Sequence, residues 1–270
     1  MRGSIFFIGE KNCGKITLLK NSITSTLFRL SKTNLNNSSG VKTGGLFLEK
    51  QILNQNFTYK KAEGIITFLQ KNNSLMKLQQ LYETFETNLE NKFAERILRE
   101  KLTTYHKYLL YDRFRILLTN EIQLAKIKSS DRIAFIGSGP LPISAFLLSS
   151  LSGCHIECYE KEPSRVELSI KVIRQLGLAN QIKVLNNYGE NLNDNNYSTI
   201  LIALLAKPKD KIIQSIKKHA KPGTKVICRT SHGIREIFYE ATDAKLLNNL
   251  KIKYNYAQGN QTISSAMFIL

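Results

Sequence analysis

A glycine-rich turn, and an acid one strand later, are the residues of this chain whose types and spacing point most directly to chemistry. The segment IAFIGSGPLP places Gly137, Ser138, Gly139 and Pro140 directly after an apolar run and before a helical one. Glycines there permit a tight turn and close approach of the backbone to a ligand, and the following helix offers unsatisfied N–H groups. The next apolar run, HIECYE, ends in Glu160, 21 residues after Gly139. A carboxylate at the end of a second strand can accept hydrogen bonds from both ribose hydroxyls of an adenosine. Together these predict a nucleoside cofactor. A dinucleotide fingerprint needs a third glycine, which lets the helix approach the strand. Pro142 stands at that place, which favours S-adenosylmethionine over a dinucleotide. The third strand, QIKVLNNYGENL, puts Asn187 to Glu190 near the adenine, and the fourth, TILIALLAKPK, carries Ala203 and Leu204 at its end. Nucleic-acid amine methyltransferases hold an exocyclic amine with a polar (Asp/Asn)-Pro-Pro-aromatic loop, and the fourth strand does not lead into one.

These turns need a sheet to hold them, and the second half of the chain supplies its pattern. From Asp131 short β-branched runs alternate with helical ones: RIAFIG, PISAFLLSSL, HIECYE, PSRVELSIKVIRQLG, QIKVLN, TILIALL, KDKIIQSIKKHA and TKVICRT. Such alternation marks a doubly wound parallel sheet. Residues 62–128 contain no Pro and a single Gly, and apolar residues recur at helical spacing: Leu75, Leu78, Leu81 and Tyr82, then Phe85, Leu89, Phe93 and Ile97. This predicts several packed helices. Residues 1–60 begin with the strand-like SIFFIG and run into SKTNLNNSSGVKTGG, whose Asn, Ser and Gly are those of a surface loop. The pattern divides the chain into an extension (1–60), a helical domain (61–128) and an α/β domain (129–270).

Composition narrows the classes. The 270 residues are 42% hydrophobic and 22% charged, which excludes wholesale disorder. No run nears the roughly 18–20 apolar residues of a membrane span. The apolar run Ser4–Ile8 is too short for a secretory signal and lacks a small-residue cleavage site. Cys13, Cys154, Cys158 and Cys228 form no C-x-x-C pair and read as free thiols of a reducing cytosol. The net charge of +18 raises nucleic acid as a partner. Basic and acidic residues number nine and two in 1–60, twelve and eight in 61–130, and eighteen and eleven in 131–270. An excess spread this widely favours solubility or anionic small ligands over nucleic acid.

Five ordered stretches, YHKYLLYDRFRILLTNE, RIAFIGSGPLPISAFLLS, EKEPSRVELSIKVIRQLG, ILIALLAKPKDKII and CRTSHGIREIFYEAT, cover about residues 100–240. They resemble the nicotianamine synthase family, particularly its archaeal and bacterial members. The resemblance implies an α/β fold, the Rossmann-like class I S-adenosylmethionine-methyltransferase fold, with an N-terminal helical domain that lids the active site. It implies that the 3-amino-3-carboxypropyl group, and not the methyl, passes to an amine, with release of methylthioadenosine. The products of such enzymes are metal-chelating metallophores of nicotianamine or opine type. The cofactor side would comprise Gly137, Ser138, Gly139, Pro140, Glu160, Asn187, Ala203 and Leu204. Glu90, in LENKFAERI, resembles the family's catalytic glutamate in position, and an amine nucleophile needs a base to take its proton. Tyr105 and Tyr108, on one face of YHKY, resemble the family's paired tyrosines, with Tyr108 catalytic and Tyr105 on the substrate. Arg229, at a strand end, is suited to a substrate carboxylate through two parallel hydrogen bonds. His232 stands on the substrate side, where relatives are often aromatic or small. The expected acceptor is an amino acid or a second aminocarboxypropyl unit, the expected compartment is the cytoplasm, and the chemistry needs no metal.

The N-terminus adds an anomaly. In SIFFIGEKNCGKIT, Gly9, Gly14 and Lys15 fit a phosphate-binding loop, G-x-x-x-x-G-K-(S/T). Ile16 stands where the magnesium-binding hydroxyl belongs, and Thr17 comes one place late. The stretch reads as a truncated start of such a loop, without ATP hydrolysis. Two further readings stay open from the residues: a methyltransferase of a small molecule or RNA, and a non-catalytic nucleotide-binding scaffold.

Overall fold

Apolar residues at helical spacing build the first part of the computed structural model, which describes residues 38–192 and 196–270. The phosphate-loop-like stretch lies outside the described residues. The polar run ending in GVKTGG does not stay a loop. From Ser38 it forms helix α1 (Ser38–Leu53), because Val41, Leu48 and Ile52 fall on one face and are buried. Gly45 belongs to that face. A β-carbon there would lie 2.5 Å from Phe85 Cγ, so the glycine admits an aromatic ring that a larger residue would displace. Packing outweighs the roughly 1 kcal/mol that a helical glycine costs relative to alanine. Helix α2 (Tyr59–Lys71) buries Ala62, Ile65, Ile66 and Leu69. Helix α3 (Ser74–Arg99) follows, and its first half buries Leu75, Leu78, Leu81, Tyr82 and Phe85. The Tyr82 ring lies 4.7 Å from that of Phe238, and its hydroxyl hydrogen-bonds to Glu49 Oε1.

The chain divides into two compact units. Of the described residues, one unit holds 38–85 together with Gly233–Phe238, and the other holds those of Glu86–His232 and Tyr239–Leu270. The division differs from the expected helical domain at 61–128, since it falls inside α3. The cause is where apolar surface is buried. The second half of α3 contributes Phe93, Ala94 and Ile97 to the second unit's core. Helix α4 (Tyr111–Ala125) packs on the helix that follows the first strand and on the strands at one side of the sheet.

That sheet has seven strands: β1 (Arg132–Ile136), β2 (His155–Glu160), β3 (Ile182–Asn186), β4 (Thr199–Ile202), β5 (Lys225–Thr230), β6 (Lys253–Asn255) and β7 (Ser264–Ile269). Their order is β3-β2-β1-β4-β5-β7-β6. The first five run parallel, and β7 pairs antiparallel with both β5 and β6. Helices α5 (Ile143–Ser152), α6 (Pro163–Gln175) and α7 (Lys209–His219) follow β1, β2 and β4. β1 and β4 are buried along almost their whole length, which is why they read as unbroken apolar runs rather than alternating ones. This is the Rossmann-like methyltransferase arrangement that the sequence predicts. Strand order reverses between β1 and β4, and in open α/β sheets ligands bind at such a switch point, beyond the carboxyl ends of the strands. Among the described residues no helix is long and apolar enough to cross a membrane.

Candidate active site

The switch point is shaped by backbone requirements first. After β1 the chain turns through Gly137 at φ +80° and Gly139 at φ +70°, both in the left-handed region that side chains disfavour. A β-carbon on Gly137 would also lie 2.9 Å from Ala206 Cβ. The Gly137 N–H donates to the Tyr159 carbonyl at 2.8 Å, which ties the turn to β2. Glu160 completes the tie. Its Oε2 accepts the Gly139 N–H at 2.9 Å and its Oε1 accepts the Glu162 N–H at 3.0 Å. The Asn187 N–H donates to the Glu160 carbonyl at 3.1 Å, and the Ala203 N–H to the Ile136 carbonyl at 2.9 Å. The carboxyl ends of β1 to β4 are thus tied in neighbouring pairs around the glycine turn.

Beyond them lies a cavity of about 930 Å³, counting its open mouth. Gly137, Ser138, Gly139, Glu160, Asn187, Ala203, Leu204 and Arg229 line it, as do Glu86, Thr87 and Glu90 from α3. Glu90 reaches directly over the glycine turn: a β-carbon on Gly139 would stand 2.9 Å from Glu90 Oε2. Burial holds the Glu90 carboxyl well above the usual carboxylate range. The charges of Glu86 and Glu160 add to the rise, while those of Arg165 and Arg229 oppose it. A carboxyl so placed takes up a proton more readily than an exposed one, which is the property a general base near neutral pH requires.

Arg229 is already engaged. Its Nε and Nη2 donate to Glu121 Oε1 and Oε2 at 3.0 and 2.9 Å, and its Nη1 donates to Ser144 Oγ at 2.9 Å. Ser265 Oγ donates to Glu121 Oε1 at 2.6 Å. The carboxylate that occupies this guanidinium fork belongs to the protein, although Arg229 still lines the cavity.

The family follows from the comparison with known proteins. Residues 22–269 match the family model described as nicotianamine synthase protein. The chain belongs to the nicotianamine synthase family. Among curated relatives of this family member, L-histidine 2-aminobutanoyltransferase of Yersinia pestis is 28% identical over 121 residues, covering 45% of each chain. Nicotianamine synthase 2 of Arabidopsis thaliana is 25% identical over 145 residues, covering 50% of this chain and 45% of that one. The matches thus span a little under half the length of these relatives. A crystal structure of a point mutant of MtNAS in complex with S-adenosylmethionine has the same fold, with a TM-score of 0.85 at 24% identity. That likeness covers 93% of this chain and 97% of MtNAS.

Not every predicted site residue of this family member reaches the cavity. Pro140 sits in the turn but does not line it. Tyr108 is buried behind the wall, its ring 6.4 Å from that of Phe114, which lines the cavity, and 5.4 Å from that of Phe93. Tyr105 packs on Phe146 with ring centres 5.2 Å apart, and its hydroxyl donates to the Phe146 carbonyl at 3.4 Å. The two tyrosines follow the apolar stripe into the core rather than facing the cavity. His232 is exposed and lies 4.7 Å from the Tyr256 ring, outside the lining. Sequence reasoning passed over Glu86, Glu121 and Arg165. A faint signal existed for two of them. Glu86 precedes Glu90 by one helical turn, and Glu121 follows Leu117 at the same spacing on a buried stripe.

Proposed function

We propose that this chain transfers the 3-amino-3-carboxypropyl group of S-adenosylmethionine to the amine of an amino-acid acceptor, releasing methylthioadenosine and yielding a metal-chelating product. The observation that carries this reading is Glu90, a carboxyl of raised proton affinity held over Gly139 of the nucleoside loop. An ordinary methyltransferase site needs no such base when its nucleophile is already neutral. Family membership and the names of the relatives support the same reaction class, as does the S-adenosylmethionine found in a protein of the same fold.

The residues fit the nucleoside. Gly137 and Gly139 keep clear the space that β-carbons would fill. Each Glu160 oxygen accepts one backbone N–H and retains capacity for a ribose hydroxyl. Asn187 flanks the adenine side, with Ala203 and Leu204 at the end of β4 as apolar contacts. When bound, the sulfonium supplies an activated carbon: a neutral amine forms a C–N bond as the C–S bond breaks, the electron pair leaving on sulfur. Glu90 takes the proton that the amine gives up. Glu86 raises the proton affinity of Glu90. Tyr108 acts from behind Phe114 by holding that wall in place. The protein's contribution is positioning and proton uptake, since the leaving group is built into the donor.

Incubation of the protein with S-adenosylmethionine and a panel of amino acids, L-histidine included, tests this. Methylthioadenosine as the nucleoside product is expected. S-adenosylhomocysteine would assign a methyltransferase instead, and no nucleoside product would assign a scaffold.

A further inference from the structure

Three acids, Glu86, Glu90 and Glu160, line the cavity, and a donor carrying an α-carboxylate must enter among them. The acids suit the donor's sulfonium and α-ammonium but repel its α-carboxylate, which a cation on the cavity wall would hold away from them. Two arginines line the same cavity, in opposite situations. Arg229 is 2% exposed, and its fork is closed on Glu121, which is fully buried. Its hydrogen-bonding groups are taken up by Glu121 and Ser144, although its field, like that of Arg165, reaches Glu90. Arg165, in the first turn of α6, is half-buried, and among the described residues its guanidinium makes no hydrogen bond and no ion pair. Its field nonetheless reaches Glu90. Lys161 and Lys207 also line the mouth, but both are exposed, and Lys161 Nζ donates to the Lys207 carbonyl at 3.4 Å. A guanidinium that pairs with none of the cavity's acids leaves its planar fork to a carboxylate brought in from solution, which it can bind through two parallel hydrogen bonds.

We propose that Arg165 holds the α-carboxylate of the donor's aminocarboxypropyl group. The assignment rests on the transferase reading above, and it deepens that reading by naming the residue that orients the group to be moved. Arg165 and Glu160 leave the same strand–helix junction, five residues apart, so nucleoside and carboxylate are gripped by one segment. The grip also turns the reacting carbon, which lies between the sulfonium and the carboxylate-bearing carbon, independently of the adenosine.

Two ligands separate this role from any effect on the nucleoside. S-adenosylmethionine carries the aminocarboxypropyl group, and methylthioadenosine lacks it. Calorimetric binding of both to the wild-type protein and to Arg165→Gln decides the matter. S-adenosylmethionine is expected to weaken on the order of 10- to 100-fold, the worth of a charge-assisted hydrogen-bond pair, with methylthioadenosine unchanged. Arg165→Lys, which keeps the charge without the fork, is expected to fall between. Equal affinity of Arg165→Gln and wild type for S-adenosylmethionine would overturn the assignment. So would parallel weakening of both ligands, because the loss would then belong to the nucleoside. Failure of the transferase reading looks different, as the wild-type protein would then release no methylthioadenosine at all.

Discussion

The two sides of the cavity are built by different means. On the sheet side the site is backbone: two glycines at positive φ, a carbonyl of β2 and N–H groups held by Glu160. On the helical side it is charge: Glu86 and Glu90 one turn apart on α3, facing Arg165 and Arg229. The backbone side tolerates few residue types, because sterics forbid the alternatives. The charged side tolerates many, and its function depends on which charge is cancelled by a neighbour. One side sets where a nucleoside can lie, and the other sets what can happen to it.

Substitutions can break that contrast. The largest effect is expected at Glu90. Glu90→Gln keeps the shape but takes no proton, so turnover should fall about 10²–10⁴-fold at neutral pH, with nucleoside affinity nearly unchanged. Steady-state release of methylthioadenosine measures the first and calorimetry the second. The same variant should not lose stability. Folding raises the proton affinity of Glu90, so the folded state binds more protons than the unfolded one between the two pKa values. Stability therefore declines as pH rises from the ordinary carboxylate range through the folded value. Above that window Glu90→Gln should melt at or above the wild-type temperature, and below it the two should coincide. A variant that melted lower at neutral pH would make Glu90 a structural residue.

Glu121→Ala tests the other kind of charge. It strands the buried Arg229 guanidinium, and breaking such a pair typically costs about 3–5 kcal/mol, readable as a lowered denaturation midpoint. If the loss stayed below about 1 kcal/mol, Arg229 would be free to serve ligands directly. Glu160→Ala crosses to the backbone side. It removes the acceptor of the Gly139 N–H and of the ribose, and should weaken S-adenosylmethionine binding by about 1.5–3 kcal/mol. Methylthioadenosine should weaken in step with it, in contrast to Arg165→Gln. The smallest effect is expected at Glu86. Burial is the main cause of the Glu90 shift and Glu86 the next, so Glu86→Gln should move the acidic limb of the pH–rate profile to lower pH while leaving turnover at the plateau largely intact. An unmoved limb would separate the two carboxyls.

The same contrast explains what could be read from residues alone. The turn at Gly137–Gly139, the acid at Glu160 and the strands that carry them announce themselves, because their geometry excludes most substitutions. The helix Ser38–Leu53 did not, since its glycines and serines favour a loop locally and only the Phe85 ring against Gly45 explains them. The unit division inside α3 was hidden for a related reason, as one continuous helix carries two separate buried faces. Arg229 was legible as a cavity residue, but its partner lies 108 residues away, on a helix where one acid looks like any other. Tyr105, Tyr108 and His232 show the opposite limit. Residue type marks them as able to bind, and only packing decides that two enter the core and one lies on the surface.

The latch between Glu160 and the Gly139 N–H has a kinetic meaning as well. Each oxygen of this carboxylate already holds a backbone N–H of the chain, so the loop is set before any ligand arrives. A loop that is already ordered asks no folding step of its ligand, so capture of the nucleoside should follow simple second-order kinetics, its observed rate rising in proportion to ligand concentration without a plateau.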